Sequence, residues 1–290
     1  FEDAFKENIG LSIDQFEDYW RRKMNTYFYS YKAQKESYKD LGVTSKLPIN
    51  SLGSGFKFSP DSLKIAMIGR DNKDQYFQSL ILATQDTSQN NNDTSFSLFK
   101  IFRHVEEKDS TDSKKKKSPS YKKVEYDHGR FHQSMSWTSD NSKLAYSKYR
   151  FGKNGSMIFD IKILDLIKKE STWITDNERA SYPIWDKDDK KLYYVSHTNS
   201  CSNIFMVDTR TLDKKKITNH HKDEDVQILS LSLSPSGKKL AFAMSKENGN
   251  LDIYTLNLNS FDNIERQTSA KEVDYLPIWT NKNTIVFTSH

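Results

Sequence analysis

The chain has 290 residues, enough to bury a full hydrophobic core in one or two domains. Its 44 Lys and Arg against 39 Asp and Glu give a net charge of +5 without an arginine-rich stripe, so no nucleic-acid partner is expected. The single cysteine, Cys201, excludes an internal disulfide framework, and no apolar run approaches the roughly 20 residues that a membrane-spanning helix needs.

Residues 1–42 are predicted to form a helical segment that differs from the rest of the chain. Ser12 has Gln15 three residues later, the pattern of a capping box, and Leu11 and Phe16 flank this cap as a hydrophobic staple does. Residues at helical spacing then follow, and they are Phe16, Tyr19, Trp20, Lys23 and Tyr27. The pattern predicts a helical hairpin whose aromatic face is buried, either on the rest of this chain or on a domain before Phe1.

One short pattern then repeats in five copies. In each copy a strand-like run ends on a large apolar anchor, a polar turn follows, and a second apolar run begins seven residues after the anchor, or six in the last copy. The anchors are Phe58, Trp137, Trp185, Leu233 and Trp279, spaced by 79, 48, 48 and 46 residues. A period of about 40–50 residues made of short strands is typical of a β-propeller with one blade per repeat. The fold class predicted for residues 43–290 is therefore all-β.

Four strands fit each complete repeat. In blade three they are predicted at 182–185, 192–196, 203–208 and 215–218, and in blade four at 229–233, 240–244, 252–256 and 264–268. The second strands are apolar at consecutive positions, which predicts blades covered on both faces by their neighbours. Pro183 and Pro277 lie two residues before a tryptophan anchor, which predicts that the first strand of each blade is a sheet edge.

Two stretches depart from the regular repeat. Leu47 precedes Phe58 by the same eleven residues that separate Ile174 from Trp185. Residues 43–50 therefore fit the outermost strand of a blade whose other strands come from the far end of the chain. The alternative is a linker that contains Pro48. Blade one is about 30 residues longer than the others, with an insertion at 86–123. Its lysine run at 114–117 predicts an extended, protease-sensitive loop, with docking to an acidic partner or membrane surface as the alternative.

No familiar catalytic or metal-binding motif occurs in this sequence. The turn at 186–189 lacks the glycine and the distal glutamate of a calcium loop, and Gly53-Ser54-Gly55 is not a nucleophile elbow. None of the histidines forms a His-Glu-x-x-His motif, and the adjacent pair at 220–221 is predicted to be exposed. The histidines are His104, His128, His132, His197, His220, His221 and His290. We therefore predict no catalytic, cofactor-binding or metal-binding residue, and no cofactor, in this chain.

The repeats resemble the TolB-type (PD40) propeller repeat. The residues that carry the resemblance are Phe58-Ser59-Pro60-Asp61, Trp137-Thr138-Ser139-Asp140 and Leu233-Ser234-Pro235-Ser236-Gly237, with Asp160–Asp165 and Asn203–Asp208 like the family's third strand. The resemblance covers residues 51–290, although Trp185 and Trp279 lack the Ser-Pro-Asp-Gly turn. It implies six four-stranded blades, of which about four and a half lie here, so that the chain is expected to be part of a longer protein. It also implies a protein-interaction scaffold in a periplasmic, envelope-associated assembly.

Residues 1–22, which read FEDAFKENIGLSIDQFEDYWRR, resemble the closing helices of gluzincin (peptidase MA) zinc peptidases. This resemblance implies a metallopeptidase domain before Phe1 and an accessory, substrate-gating role for the propeller. The sequence thus leaves two functions open. The expected function is a non-catalytic interaction scaffold, and the alternative is an accessory domain of a peptidase. A His-Glu-x-x-His motif upstream of Phe1 would distinguish the second from the first.

Overall fold

The structure is a computed structural model that describes residues 2–34, 54–70, 77–85, 121–198, 200–246, 249–261, 263–280 and 283–290. The chain divides into two compact units, one with the helices and the other with all described strands. Residues 43–50 and most of the insertion at 86–123 lie outside the described residues, so the predictions for them remain predictions. None of the described helices has both the length and the apolar character needed to cross a membrane.

The helical unit contains α1 (Glu2–Ile9) and α2 (Ile13–Gln34). The predicted capping box is present, because the Gln15 amide donates to Ser12 Oγ at 3.2 Å and the Ser12 amide donates to Gln15 Oε1 at 3.0 Å. The rings of Phe5 and Phe16 pack edge to face at 5.5 Å and join the two helices. Trp20, however, is 52% exposed, so the described residues do not bury the aromatic face of α2, and its burial on a domain before Phe1 stays a prediction.

The second unit consists of four antiparallel sheets of four strands and one described sheet of two strands, each with its strands in sequence order. Blade one has β1 (Ser54–Phe58), β2 (Lys64–Gly69), β3 (Gln78–Gln85) and β4 (Tyr121–Gly129). Blade two has β5 (Phe131–Trp137), β6 (Lys143–Phe151), β7 (Met157–Asp165) and β8 (Glu170–Trp173). Blade three has β9 (Ala180–Trp185), β10 (Lys191–Thr198), β11 (Cys201–Asp208) and β12 (Lys214–Lys216). Blade four has β13 (Gln227–Leu233), β14 (Lys239–Ser245), β15 (Asp252–Asn257) and β16 (Ile264–Arg266), and blade five has β17 (Asp274–Trp279) and β18 (Ile285–Ser289).

The first strands of successive blades pack against one another, and the blades stack face to face through apolar clusters. Second-strand residues point alternately to the two faces: Tyr146 packs toward blade one, whereas Ala145 packs toward blade three. This arrangement confirms the predicted all-β propeller blades and explains why their second strands are apolar at consecutive positions. The fourth strands of blades three and four end two residues earlier than predicted, at Lys216 and Arg266.

Each anchor pairs with the first apolar residue of the second strand. The pairs are Phe58 with Ile65, Trp137 with Leu144, Trp185 with Leu192, Leu233 with Leu240, and Trp279 with Ile285. The side chain after the anchor closes the turn, as when Thr138 Oγ1 accepts the Lys143 amide at 2.9 Å. The residue four positions after the anchor has a left-handed backbone in all five copies, with φ between 57° and 73°. The spacing of seven in the first four copies therefore follows from a turn of defined length.

A bulge in the first strand was not predicted. Gly55, Tyr182, Ser230 and Leu276, each three residues before an anchor, have positive φ, and the strand register shifts around them. At Gly55 a Cβ atom would lie 2.7 Å from the Gln133 carbonyl oxygen, so only glycine fits there. The first strand lies at the edge of every sheet, as the prolines predicted.

The tryptophan anchors occupy equivalent positions, as predicted, but only two of them are buried. Trp137 is 7% exposed and Trp185 4% exposed, and each indole N–H donates to a backbone carbonyl of the preceding blade, at Lys57 and Ser136 respectively. Trp279 lies at the same place, with its amide bonded to Ser232 Oγ at 3.2 Å. It is only partly buried because the described part of its sheet has two strands, and its indole N–H lacks a partner among the described residues.

Candidate binding site at one end of blades two and three

A cavity of about 320 Å³ opens at the strand ends that lie opposite the polar turns. The starts of the first strands β5, β9 and β13 and the ends of the second strands β6 and β10 surround it. The side chains that define this inner cavity are His132, Tyr149, Phe159, Arg179, Tyr182 and His197. The cavity therefore lies where three adjacent blades meet, and it is concave and lined largely by aromatic side chains with a few polar groups, as ligand sites usually are.

Aromatic packing holds the His132 ring in place. Its centroid lies 4.6 Å from the Tyr182 ring and 5.3 Å from the Phe159 ring, both nearly perpendicular to it. Tyr149 packs on Phe159 with centroids 3.8 Å apart. These rings come from β5, β6, β7 and β9, so the wall of the cavity is shared between two blades.

The hydrogen bonds of His132 determine its tautomer. The Ser134 amide donates to Nδ1 at 3.2 Å, and Ser134 Oγ lies 2.8 Å from the same atom. Because Nδ1 accepts a backbone N–H, the neutral ring carries its proton on Nε2. No described residue accepts a hydrogen bond from Nε2, so this N–H is available to a ligand.

His197 is held between two hydroxyl groups. Its Nε2 lies 3.2 Å from Ser181 Oγ and its Nδ1 lies 2.7 Å from Ser202 Oγ. Burial lowers the pKa of His197, and burial, with a smaller contribution from repulsion between protonated His132 and protonated His197, lowers the pKa of His132 to about 4. Both rings are therefore uncharged at neutral pH.

The lowered pKa of His132 makes folding stability depend on pH. The unfolded chain takes up this proton near pH 6.5 and the folded chain only near pH 4, so stability falls as the pH decreases between these values. We expect the wild-type protein to lose about 1–2 kcal/mol more than the His132→Gln variant between pH 7 and pH 5. Urea unfolding of both proteins at the two pH values measures this difference. Equal losses of stability in the two proteins would show that His132 has the same pKa in the folded and in the unfolded chain.

Arg179 supplies the positive charge of the inner cavity, and a buried carboxylate positions it. Asp160, which is fully buried, accepts Thr175 Oγ1 at 2.9 Å and the amides of Asn177 and Glu178 at 2.7 and 3.0 Å. These bonds hold the connection between β8 and β9, and Arg179 follows with φ of +50°, a left-handed conformation that is unusual for a non-glycine residue. Its guanidinium is exposed, and within the described part of the chain no carboxylate lies within ion-pair distance.

The structure groups the histidines differently from their order in the sequence. His132 and His197 meet in the inner cavity, although neither belongs to a motif. His220 is not exposed as predicted: its side chain is 12% exposed and its Nδ1 lies 3.6 Å from Glu224, whereas His221 is exposed. Among the described residues no group of three or more His, Cys, Asp or Glu side chains could hold a metal ion. The prediction that no residue of this chain is catalytic stays a prediction.

The comparisons with known proteins agree with this fold. No protein-family model and no curated protein matches the chain. Among solved structures, a putative TolB from Agrobacterium tumefaciens superposes with a TM-score of 0.58 at 17% identity, covering 83% of this chain and 70% of that one. TolB from Acinetobacter baumannii gives 0.53 at 16% identity, and a puromycin-hydrolyzing peptidase from Mycobacterium tuberculosis gives 0.53 at 12%. The matches cover 80% and 81% of this chain but only 47% and 34% of those two.

These similarities identify the class of protein. The chain has the TolB-like β-propeller fold, which confirms the fold expected from the repeats. It spans about half the length of the Acinetobacter protein. At these identities the similarity shows the fold alone, and the resemblance of residues 1–22 to gluzincin helices stays a prediction.

Proposed function

We propose that this chain is a non-catalytic protein-interaction scaffold that binds a short segment of a partner protein in the inner cavity. The observation that supports this most directly is the exposed guanidinium of Arg179, which has no ion-pair partner among the described residues and lies beside a wall of packed rings. An available cation next to aromatic surface matches a peptide that carries a carboxylate and an apolar side chain.

The size and polarity of the cavity favour a peptide as its ligand. A volume of about 320 Å³ admits one or two side chains. Tyr149, Phe159 and Tyr182 offer ring surface to an apolar group, while His132 Nε2 and Arg179 offer donors to carboxylate or carbonyl oxygens. Because the walls are held by ring packing and by Asp160, little ordering entropy is lost on binding.

The pair formed by Ser181 and His197 has the geometry of a nucleophile and a base, and it argues for binding rather than catalysis. Ser181 Oγ lies 3.2 Å from His197 Nε2, but Ser181 is only 4% exposed. The group behind Nδ1 is the hydroxyl of Ser202 and not a carboxylate, so no negative charge stabilises an imidazolium there. We therefore propose that this pair holds the cavity wall and does not hydrolyse substrates.

The TolB-like fold also supports a location in the bacterial envelope, where such a scaffold joins a larger assembly. A second candidate is an accessory propeller beside a peptidase domain, favoured by the similarity to the mycobacterial peptidase, of which this fold spans 34%. In both functions the inner cavity binds a peptide segment. A His-Glu-x-x-His motif in the sequence before Phe1 would favour the second function.

Peptide selection tests the proposal. Twelve-residue peptides displayed on phage are selected on the purified chain, and the affinities of the enriched sequences are measured by calorimetry. We expect Arg179→Asn to weaken binding at least about tenfold, since asparagine tolerates the left-handed backbone but lacks the guanidinium. Arg210→Asn, which changes an exposed arginine at the opposite strand ends, is the matched control and leaves binding unchanged. Enriched peptides whose affinity does not depend on Arg179 would overturn the proposal, as would ester or peptide hydrolysis that Ser181→Ala abolishes.

A further inference from the structure

A second cavity of about 630 Å³ lies at the same end of blade three, on the side of its outer strand. We call it the outer cavity, and its defining side chains are Thr198, Cys201, Lys216, His220, His221 and Lys222. His197 and Thr198 are consecutive on β10, and they line the inner and the outer cavity respectively. Because consecutive residues of one strand line them, the two cavities are neighbours at this end of blade three.

The floor of the outer cavity is neutral, and the polar atoms of Asn203 are satisfied, whereas His220 Nε2 is buried without a hydrogen-bond partner among the described residues. Asn203 Oδ1 accepts Thr218 Oγ1 at 3.1 Å and the His220 amide at 2.7 Å. Asn203 Nδ2 donates to the His220 carbonyl at 3.2 Å, and the Cys201 thiol lies 3.4 Å from the same oxygen. Any charge preference of this cavity therefore comes from its rim.

The rim carries positive charge that the described residues do not neutralise. Lys216 Nζ donates to the neutral amide of Asn219 at 2.9 Å, and Lys222 has no ion pair within the described residues. The two lysines before Lys216 are engaged elsewhere, Lys214 with Glu178 and Lys215 over the ring of Phe261 at 4.3 Å. Lys216 is thus the one lysine of β12 that faces this cavity.

Three acidic residues follow Lys222 in the chain, Asp223, Glu224 and Asp225, but none of them lines the outer cavity. Glu224 is directed to His220 Nδ1 at 3.6 Å and to Lys246 at 3.5 Å, and no carboxylate lines the outer cavity in the described structure. Burial lowers the pKa of His220, against the opposing effect of Glu224, so the positive charge at neutral pH comes from the two lysines. A concave surface with exposed lysines, hydroxyl groups and no carboxylate favours anionic ligands.

We propose that the outer cavity binds acidic side chains of the partner segment whose neighbouring part occupies the inner cavity. This inference rests on the proposed function, and it adds the chemistry of the ligand: an acidic peptide that lies across one end of blade three. Its aspartate or glutamate side chains pair with Lys216 and Lys222, while the adjoining residues reach Arg179 and the aromatic wall.

Fluorescence anisotropy with a labelled hexaglutamate peptide tests the outer cavity independently of the peptide selection. We expect Lys216→Gln with Lys222→Gln to weaken hexaglutamate binding at least about fivefold and to reduce its dependence on salt. The double variant Lys168→Gln with Lys169→Gln makes the same change in net charge at the opposite strand ends and is expected to bind as the wild type does. A hexaglutamine peptide is expected to bind neither protein measurably.

The outcomes separate this inference from the proposed function. If both double variants bind hexaglutamate equally weakly, the peptide responds to net charge alone and the inference is overturned. Unchanged hexaglutamate affinity in the double variant of Lys216 and Lys222 would also overturn it. In either case peptides that depend on Arg179 would leave the proposed function standing. Selected peptides without aspartate or glutamate would also overturn the inference.

Discussion

Replacement of Trp185 by alanine is expected to lower the free energy of unfolding of the propeller by about 3–5 kcal/mol. Trp185 is 4% exposed and packs between blades two and three. Its indole N–H donates to the Ser136 carbonyl at 3.2 Å, so the substitution leaves both a large cavity and a buried carbonyl without its donor.

Two other tryptophans serve as controls for Trp185 in urea unfolding. Trp279 occupies the equivalent position but is only partly buried and has no indole hydrogen bond among the described residues, so its replacement by alanine is expected to have a smaller effect. Trp20, on the exposed surface of α2, is expected to change stability by less than about 0.5 kcal/mol. A loss for Trp185→Ala no larger than that for Trp20→Ala would show that the anchor is not a core residue.

Replacement of Asp127 by alanine is expected to destabilise the protein by a similar amount, about 3–5 kcal/mol, because it leaves two lysines without their counter-ion. Asp127 on β4 accepts hydrogen bonds from Lys148 at 2.5 Å, from Lys162 at 3.0 Å and from the Tyr146 hydroxyl at 2.7 Å. The two lysine side chains are 16% and 12% exposed, so water compensates little for the missing carboxylate.

The stabilisation that Asp127 contributes is expected to depend on pH. Burial alone would raise the pKa of Asp127, but the hydrogen bonds from Lys148, Tyr146 and Lys162 outweigh it and hold the pKa below its usual value. The stabilisation by Asp127 is therefore fully present above about pH 3.9, the pKa of an aspartate in the unfolded chain. It is lost as the pH falls through the lower pKa that Asp127 has in the folded protein.

Asp176 provides the matched control for Asp127. It also pairs with two cations, Arg150 at 3.4 Å and Lys153 at 3.2 Å, but its side chain is 57% exposed. Asp176→Ala is expected to cost less than about 1 kcal/mol. Comparable losses for Asp127→Ala and Asp176→Ala in urea unfolding at pH 7 would contradict the role of burial in this network.

The blades could be predicted from the sequence because local interactions determine them. The turn after Trp137 is closed by Thr138 and Lys143, which are five residues apart, and the anchor pairs with Leu144, seven residues away. Such short-range bonds leave a regular spacing of residue types in the chain. The bulges were missed because residues as different as Gly55, Tyr182 and Leu276 adopt the same left-handed backbone there, and only glycine suggests it in a sequence.

The candidate site could not be predicted, because its residues come from different blades and match no motif. His132 and Tyr182 are 50 residues apart, and their rings meet only because β5 and β9 are adjacent first strands. Asp127 on blade one likewise pairs with Lys162 on blade two, and no motif links these two residues. The sequence by itself determined the number and order of the described blades, through hydrogen bonds within single turns. Only the tertiary structure decided which side chains share a cavity, because packing between sheets brings together residues that no local spacing relates.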